Sequence, residues 1–183
     1  GKSSYSISII DMAEELVKTK IITYNFKGDI LWANNFDNKL ITKLNYTKND
    51  RLMAVSENEI LCFKNDGELL EELKIDGNII SVAMSDYMTV VVSNKKGKNY
   101  LICYDLENKM QSNIEIDKPP QGVFPLKNNF IVYYKDELMI FTTKGIVTAL
   151  HKSNTDISRA YMTLDNKIYI VSNRKLQLLE YSR

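Results

Sequence analysis

Five apolar strand segments of this 183-residue chain end on a large side chain at an interval of about 40 residues. These five side chains, called the anchors below, are Tyr24, Phe63, Tyr104, Phe141 and Leu179. Four residues after each of the first four anchors stands a residue type that accepts positive φ at low cost, namely Gly28, Gly67, Asn108 and Gly145. Two residues further on, an apolar residue opens the next strand. Hairpins repeated at this interval are typical of the blades of a β-propeller.

The three central repeats each contain four short segments with strand character. In the second repeat these are Leu40–Leu44, Leu52–Val55, Ile60–Phe63 and Glu68–Leu73. In the third they are Ile79–Met84, Met88–Val92, Tyr100–Tyr104 and Met110–Ile116, and in the fourth Gly122–Leu126, Phe130–Tyr134, Leu138–Phe141 and Ile146–Leu150. A polar turn residue recurs thirteen positions before the anchor, at Asp11, Asp50, Asn128 and Asn166. The sequence therefore predicts an all-β fold built from about five four-stranded blades of 37–41 residues.

The two terminal repeats are less regular. In the first, Ser6–Ile10 and Ile21–Phe26 predict strands, and Met12–Lys18 fits either a deviant second strand or a short helix. The fifth repeat supplies Ile157–Met162, Lys167–Val171 and Lys175–Tyr181 and lacks a fourth strand.

Two ways of closing the propeller remain open. The segment Tyr5–Ile10 could complete the last of five blades, or the chain could form part of a larger or irregular propeller, which we favour. A solenoid or a β-sandwich with accidental spacing is the alternative architecture. We predict a single domain over residues 1–183, with repeats at 1–38, 39–77, 78–118, 119–154 and 155–183.

The composition argues against binding driven by overall charge. The 24 basic and 23 acidic residues nearly cancel, so no net field draws the chain to nucleic acid or to an anionic membrane. No apolar run is long enough for a membrane helix, and no secretory signal is present. The first residue is Gly1 rather than Met, so we expect a cut or processed chain. An upstream membrane anchor and an extracytoplasmic location are slightly favoured over a cytoplasmic one.

The two cysteines, Cys62 and Cys103, each stand one residue before an anchor. Equivalent strands of neighbouring blades are about 10 Å apart, which is too far for a disulfide. We therefore expect two free and largely buried thiols.

The segment from Tyr24 to Trp32, with the sequence YNFKGDILW, resembles one repeat of the quinoprotein-like (PQQ-like) propellers, in which such a Trp docks between blades. The third repeat is similar to a WD40 repeat without its Trp-Asp signature. The resemblance implies that enzymatic relatives bind pyrroloquinoline quinone through a calcium site, often beside a disulfide of adjacent cysteines. Cys62 and Cys103 do not match that pattern, so the resemblance implies a non-enzymatic relative, such as the scaffold propellers of bacterial envelope assembly. No cofactor is expected.

The sequence offers no catalytic, cofactor-binding or metal-binding set. His151 is the single histidine, and we place it in a solvated loop. The pairs Glu14-Glu15 and Glu71-Glu72 are interpreted as solvated charges, and glycine-rich phosphate loops are absent. Trp32 is interpreted as a blade-docking residue.

A recognition surface is instead predicted from topology. In a propeller, the turns between the second and third strands lie on the same face as the connections from one blade to the next. The candidate partner-binding residues on that face are Phe36, Asp37, Asp76, Asn78, Lys95, Lys96, Lys98, Pro119, Gln121, Lys135, His151 and Arg174. The set is moderately basic, which suits an acidic protein segment or an anionic ligand, although a solvated rim would have the same composition.

The leading functional hypothesis is a non-catalytic scaffold that binds a protein or peptide partner through these loops. The alternative is a ligand-binding, metal-binding or enzymatic propeller with a site in its central channel. Its innermost strands would then contribute Ser6, Thr42, Ser81, Gln121 and Ser158. Nucleic-acid binding by the basic loops is a lesser possibility, and we do not expect it.

Overall fold

A computed structural model describes residues 3–12, 16–47, 49–165, 167–172 and 175–180 of the chain. Within these ranges the regular secondary structure consists of strands, with no helix. The strands are β1 (Ser4–Asp11), β2 (Lys18–Asn25), β3 (Ile30–Asp37), β4 (Lys43–Tyr46), β5 (Leu52–Val55), β6 (Glu59–Phe63), β7 (Leu69–Lys74), β8 (Asn78–Met84), β9 (Thr89–Lys95), β10 (Lys98–Tyr104), β11 (Met110–Ile116), β12 (Gly122–Pro125), β13 (Asn129–Tyr133), β14 (Glu137–Thr142), β15 (Val147–Lys152), β16 (Ile157–Met162), β17 (Lys167–Ser172) and β18 (Lys175–Glu180).

These strands form five antiparallel sheets in which neighbours in sequence are neighbours in space. Sheet 1 contains β1–β3, sheet 2 β4–β7, sheet 3 β8–β11, sheet 4 β12–β15 and sheet 5 β16–β18. The three central sheets have four strands, as the sequence predicts. The predicted all-β propeller-type repeat is therefore confirmed.

The hairpin that follows each anchor has the same geometry in the first four sheets. In sheet 2 the amide of Lys64 donates to the carbonyl of Glu68, and the amide of Gly67 donates to the carbonyl of Lys64. The predicted turn residues all have positive φ, between 57° at Asn108 and 92° at Gly28. The register then shifts at the anchor, so that Phe63 pairs with Leu69 and one residue of the fourth strand is left over. Such a bulge increases the local twist of the strand pair.

The chain folds as two compact units, residues Gly1–Ile79 and Ile80–Arg183. In the first unit, sheets 1 and 2 enclose one core, which contains Ile21, Trp32, Ile41, Leu52, Ala54, Leu61 and Phe63. In the second unit, one core lies between sheets 3 and 4 and another between sheets 4 and 5. Leu101 and Phe130 are fully buried in the former, and Ile131 and Ile170 in the latter.

Within each unit, one pair of neighbouring sheets makes contact where the last strand of one sheet crosses the turn of the next. Trp32 of β3 is 9% exposed, and its ring lies over Gly67 of sheet 2. Asn34 Nδ2 donates to the Gly67 carbonyl at 2.7 Å. Ile114 of β11 lies in the same way over Gly145 of sheet 4. The prediction that Trp32 docks between blades is confirmed.

The first repeat differs from the sequence prediction. Ser4–Asp11 pairs directly with Lys18–Asn25, so β1 holds the position of a second strand and sheet 1 has three strands. Asp11 therefore ends β1 instead of preceding a second strand, and the idea that Tyr5–Ile10 completes the last blade is wrong. The choice between strand and helix for Met12–Lys18 falls partly on residues 13–15, which lie outside the described residues. Asn166, the predicted turn residue of the fifth repeat, also lies outside them.

Candidate interaction site

The turns between second and third strands are hydrogen-bonded to the connection that leaves the same sheet and to the start of the strand that follows it. In sheet 2, the carbonyl of Glu57 accepts the amide of Ile79 at 2.6 Å, and the carbonyl of Asn58 accepts the amide of Ile75 at 2.8 Å. Sheet 4 repeats this arrangement with the same spacing. There Lys135 accepts from Ile157 at 2.7 Å, and Asp136 accepts from Ser153 at 2.8 Å. We call the surface formed by these turns and connections the loop face of the unit to which they belong.

The first sheet has a related contact made partly by a side chain. The amide of Asn38 donates to the carbonyl of Val17 at 2.8 Å. The buried Thr19 hydroxyl donates to the Lys39 carbonyl at 2.6 Å and accepts from the Ile41 amide at 3.3 Å. In three sheets, backbone groups of the loop face are thus hydrogen-bonded within the protein. These bonds hold the backbone of the loops in place, and the side chains on them can differ from sheet to sheet.

A charged cluster lies on the loop face of the first unit. Glu59 is 7% exposed, and its carboxylate lies 2.5 Å from Lys39 Nζ. A hydrogen bond with Glu59, and then the contact with Lys74, hold the pKa of Glu72 below its usual range. The sequence analysis missed Glu59 because it stands in the polar stretch before the predicted strand Ile60–Phe63, whereas the structure makes it the first residue of β6.

The hairpin Lys95–Lys98 is the most basic part of the loop face in the second unit. Lys96 and Gly97 have φ of 52° and 82°, which is the pattern of a type I′ turn. Lys96 is exposed at the tip. Lys98 Nζ lies 3.0 Å from both carboxylate oxygens of Glu115 on the neighbouring strand. The positive charge that the sequence assigns to this hairpin is therefore partly neutralised.

Two further elements of this loop face pack against sheet 4. Lys118 Nζ lies 5.0 Å from the ring centre of the buried Tyr134, a cation–π contact that holds the connection before the exposed Pro119. Gln121 is exposed, and its backbone amide donates to the backbone carbonyl of Tyr133 at 2.9 Å. Outside these contacts, Lys135 Nζ lies 3.3 Å from Asp156 Oδ2.

Several predicted site residues do not lie where the sequence analysis placed them. Phe36 belongs to β3, is half-buried, and packs edge-on against Phe63 at 5.9 Å, so it supports the core. His151 belongs to β15 opposite Leu138, and its Nε2 atom is buried without a hydrogen-bond partner among the described residues. The expectation of a solvated loop histidine is wrong because the fourth strand extends further than its apolar residues indicate. Arg174 lies outside the described residues.

The remaining candidates occupy the loop face of one unit or the other. Asp37 ends β3, Asp76 lies between β7 and β8, and Asn78 opens β8; all three are exposed. Lys95 ends β9 and is half-buried. The structure divides these residues between the two units, and their role in binding stays a prediction.

A shallow cleft of about 360 Å³ lies away from the predicted site, beside β1. Tyr5, Ser6, Leu44, Asn45 and Tyr46 line it. The Tyr46 hydroxyl hydrogen-bonds Ser6 Oγ at 2.7 Å and accepts from Ser4 Oγ at 3.2 Å. Ser6 lies on a second strand here, which corrects its predicted position on an innermost strand.

The described part of the chain contains no group of three or more His, Cys, Asp or Glu side chains placed to hold a metal ion. Over the same ranges, no helix has the length and apolarity to cross a membrane.

Both cysteines are buried as free thiols, as predicted. Burial raises the pKa of the Cys62 thiol and raises that of Cys103 to about 11. Cys103 Sγ lies 3.9 Å from Met88 Sδ within the apolar core between sheets 3 and 4. These thiols are protonated packing groups rather than nucleophiles or metal ligands.

Comparison with solved structures places this architecture among the β-propellers. BBS1N, in a crystal structure with ARL6DN, superposes with a TM-score of 0.63 at 14% identity, covering 91% of this chain and 64% of that one. BamB from Moraxella catarrhalis gives a TM-score of 0.60 at 11% identity, covering 91% and 55%. The Dos1 propeller gives 0.53 at 14% identity, covering 92% and 56%. The chain thus spans less than two thirds of the length of these structures, and at such identities the likeness shows the fold alone.

The amino-acid sequence also matches the model of one protein family. Residues 2–180 match the family described as a family of unknown function, DUF5711, and the chain belongs to that family. No curated protein matches the chain.

Proposed function

We propose that the chain is a non-catalytic scaffold that binds a protein partner through the loop face. The observation that carries this proposal is the repeated backbone bonding of that face. Sheets 2 and 4 hold their turns with the same pair of hydrogen bonds, yet present Glu57-Asn58 in one case and Lys135-Asp136 in the other. A rigid backbone that carries different side chains is suited to specific recognition, because little order is lost on binding.

The similar structures support the same proposal by analogy of fold. One of them, BBS1N, was crystallised in complex with another protein, ARL6DN. Fold likeness is an associational argument for function, so the proposal needs a direct test. The mixed charge of the loop face favours a partner with both acidic and basic groups over a purely acidic one, since Lys98 and Lys135 already have carboxylate partners.

Site-specific photo-crosslinking at two positions of sheet 4 tests the proposal. Lys135 and Lys144 are both exposed and stand at opposite ends of β14, so a crosslinking residue at either position leaves the core intact. We expect a residue at Lys135 to capture a discrete protein in cells that produce the chain, while one at Lys144 captures none. Equal capture at both positions, or capture at Lys144 alone, would contradict binding through the loop face.

A further inference from the structure

Two Asp-Gly dipeptides in the first unit have the same local chemistry but different structural settings. Asp66-Gly67 lies in the turn between β6 and β7, and Asp76-Gly77 lies in the connection from β7 to β8. An Asp-Gly bond is prone to rearrange, because glycine has no Cβ atom to hinder attack of its amide nitrogen on the preceding carboxyl group. No other glycine of the chain follows an aspartate. The fold therefore decides which of these two bonds reacts.

The first dipeptide is held on both sides of its peptide bond. The Gly67 amide donates to the Lys64 carbonyl at 3.0 Å, and Asp66 Oδ1 accepts from the Glu68 amide at 3.0 Å. The Gly67 carbonyl accepts from Asn34, and Gly67 itself is buried. The nitrogen that would attack and the carboxylate that would be attacked are each engaged elsewhere. We therefore expect this bond to be protected in the folded protein.

The second dipeptide lies between two fixed points of its connection. The amides of Ile75 and Ile79 are bonded to the turn of sheet 2. Between them Asp76 is exposed, and Gly77 has φ of 108°. The Gly77 amide has no backbone acceptor among the described residues. An amide nitrogen without such a bond, next to an exposed carboxyl group, is the arrangement that the rearrangement needs.

We propose that Asp76-Gly77 is a site of spontaneous isoaspartate formation, a modification that needs no reagent except water. The Gly77 nitrogen bonds to the side-chain carboxyl carbon of Asp76, and one carboxyl oxygen leaves as water with the carboxyl proton and the amide proton. Water then opens the five-membered succinimide ring. When the bond from the nitrogen to the original main-chain carbonyl breaks, the main chain afterwards runs through the former side chain. The composition and the number of carboxylates are unchanged.

The product alters the loop face of the first unit. Isoaspartate adds one CH2 group to the main chain between the amides of Ile75 and Ile79. The spacing of their hydrogen bonds to the carbonyls of Asn58 and Glu57 then no longer matches, so the turn loosens. An effect on partner binding rests on the proposed function, whereas the modification does not. The crosslinking position Lys135 belongs to the second unit, so the two tests can fail separately.

Uptake of labelled oxygen measures the reaction at both dipeptides in one sample. The 183-residue chain is kept at neutral pH in water that carries a heavy oxygen isotope, and each passage through the succinimide incorporates one labelled oxygen. Trypsin in ordinary water then separates the dipeptides into peptides 65–74 and 75–95, and fragmentation in the mass spectrometer assigns the label to Asp66 or Asp76. We expect uptake at Asp76 to be about tenfold faster, because two hydrogen bonds must first break at Asp66-Gly67.

Two controls separate the effect of the fold from that of the dipeptide. In chain unfolded with guanidinium chloride, both aspartates should take up label at similar rates. Asp76→Glu should abolish uptake at that position and keep the fold, because the residue is exposed and its longer side chain would have to close a larger ring. After ageing, hydrogen exchange at the amides of Ile75 and Ile79 should be faster in the unmodified sequence than in Asp76→Glu.

Three results would overturn the proposal. The first is equal uptake at Asp66 and Asp76 in the folded chain, or faster uptake at Asp66. The second is a folded chain in which neither aspartate takes up label while the unfolded chain does. The third is uptake in peptide 75–95 that survives Asp76→Glu.

Discussion

The contact between Trp32 and Gly67 provides the sharpest test of how sheets 1 and 2 pack. A Cβ atom at Gly67 would lie 2.7 to 2.9 Å from three atoms of the Trp32 ring, closer than real Cβ contacts allow. Gly67 also has φ of 87°, where an L-residue is strained by roughly 1–2 kcal/mol. Gly28 has φ of 92° and has no atom within 4 Å of the same position. Gly28→Ala therefore measures the backbone strain alone.

We expect Gly28→Ala to lower the free energy of unfolding by about 1 kcal/mol, since only the strain of positive φ is added. Gly67→Ala should lower it by about 3 kcal/mol, because overpacking against the Trp32 ring adds about 1–3 kcal/mol. Urea denaturation measures both values. Trp32 is the chain's only tryptophan, so its fluorescence reports on the first unit.

A double-mutant cycle assigns the difference to the ring. In a Trp32→Leu background, followed by circular dichroism, the cost of Gly67→Ala should fall towards that of Gly28→Ala, because coupling is confined to residues in contact. Equal costs for Gly67→Ala and Gly28→Ala in the unmodified chain would refute the tight docking of Trp32 on the turn.

Three other predictions concern the turns and the buried groups. Lys96→Asn should keep or raise the thermal midpoint, because Asn accepts the positive φ at the hairpin tip at lower cost, and a clear fall would contradict the type I′ turn. Gly122→Ala should lower the free energy of unfolding by about 2 kcal/mol in urea, because the new methyl would overlap the Tyr133 ring and hydroxyl, and Tyr133→Val should restore much of it. For Cys103, the unfolded thiol ionises near pH 9 and the buried thiol near pH 11, so the unfolded state binds fewer protons in that window. The free energy of unfolding should therefore fall as the pH rises from 9 to 11, and Cys103→Ala should reduce that slope.

The repeat was predictable from the sequence because it depends on the residue types in the turn of each hairpin. Gly28, Gly67, Asn108 and Gly145 each adopt the positive φ that their residue types favour, and the apolar residue two positions later opens the next strand. These signals depend on neighbours within about six residues. They can therefore be recognised in the sequence without knowledge of the tertiary structure.

The strand pairing of the first repeat and the details of the loop face were not predictable in the same way. No turn signature in the sequence marks the pairing of Ser4–Asp11 with Lys18–Asn25, so the recurrence of Asp11 at thirteen residues before its anchor was coincidental. His151 and Phe36 were assigned to loops because polar residues surround them, yet both lie in strands. His151 pairs with Leu138 within sheet 4, and Phe36 packs against Phe63 of sheet 2. The pairing of Glu59 with Lys39 likewise joins the first residue of β6 to the connection between β3 and β4, which are distant in sequence.

The central proposal is that the chain binds a protein partner through its loop face and is not catalytic. A crystal structure of the protein purified from its native host tests it most directly. The account predicts that the first strands of the complete sheets, β4, β8 and β12, bind no ion or small molecule, and that a co-purified protein contacts the loop face. A metal ion or a small molecule held by side chains from several of those strands would contradict the account and make the chain a ligand-binding or enzymatic propeller.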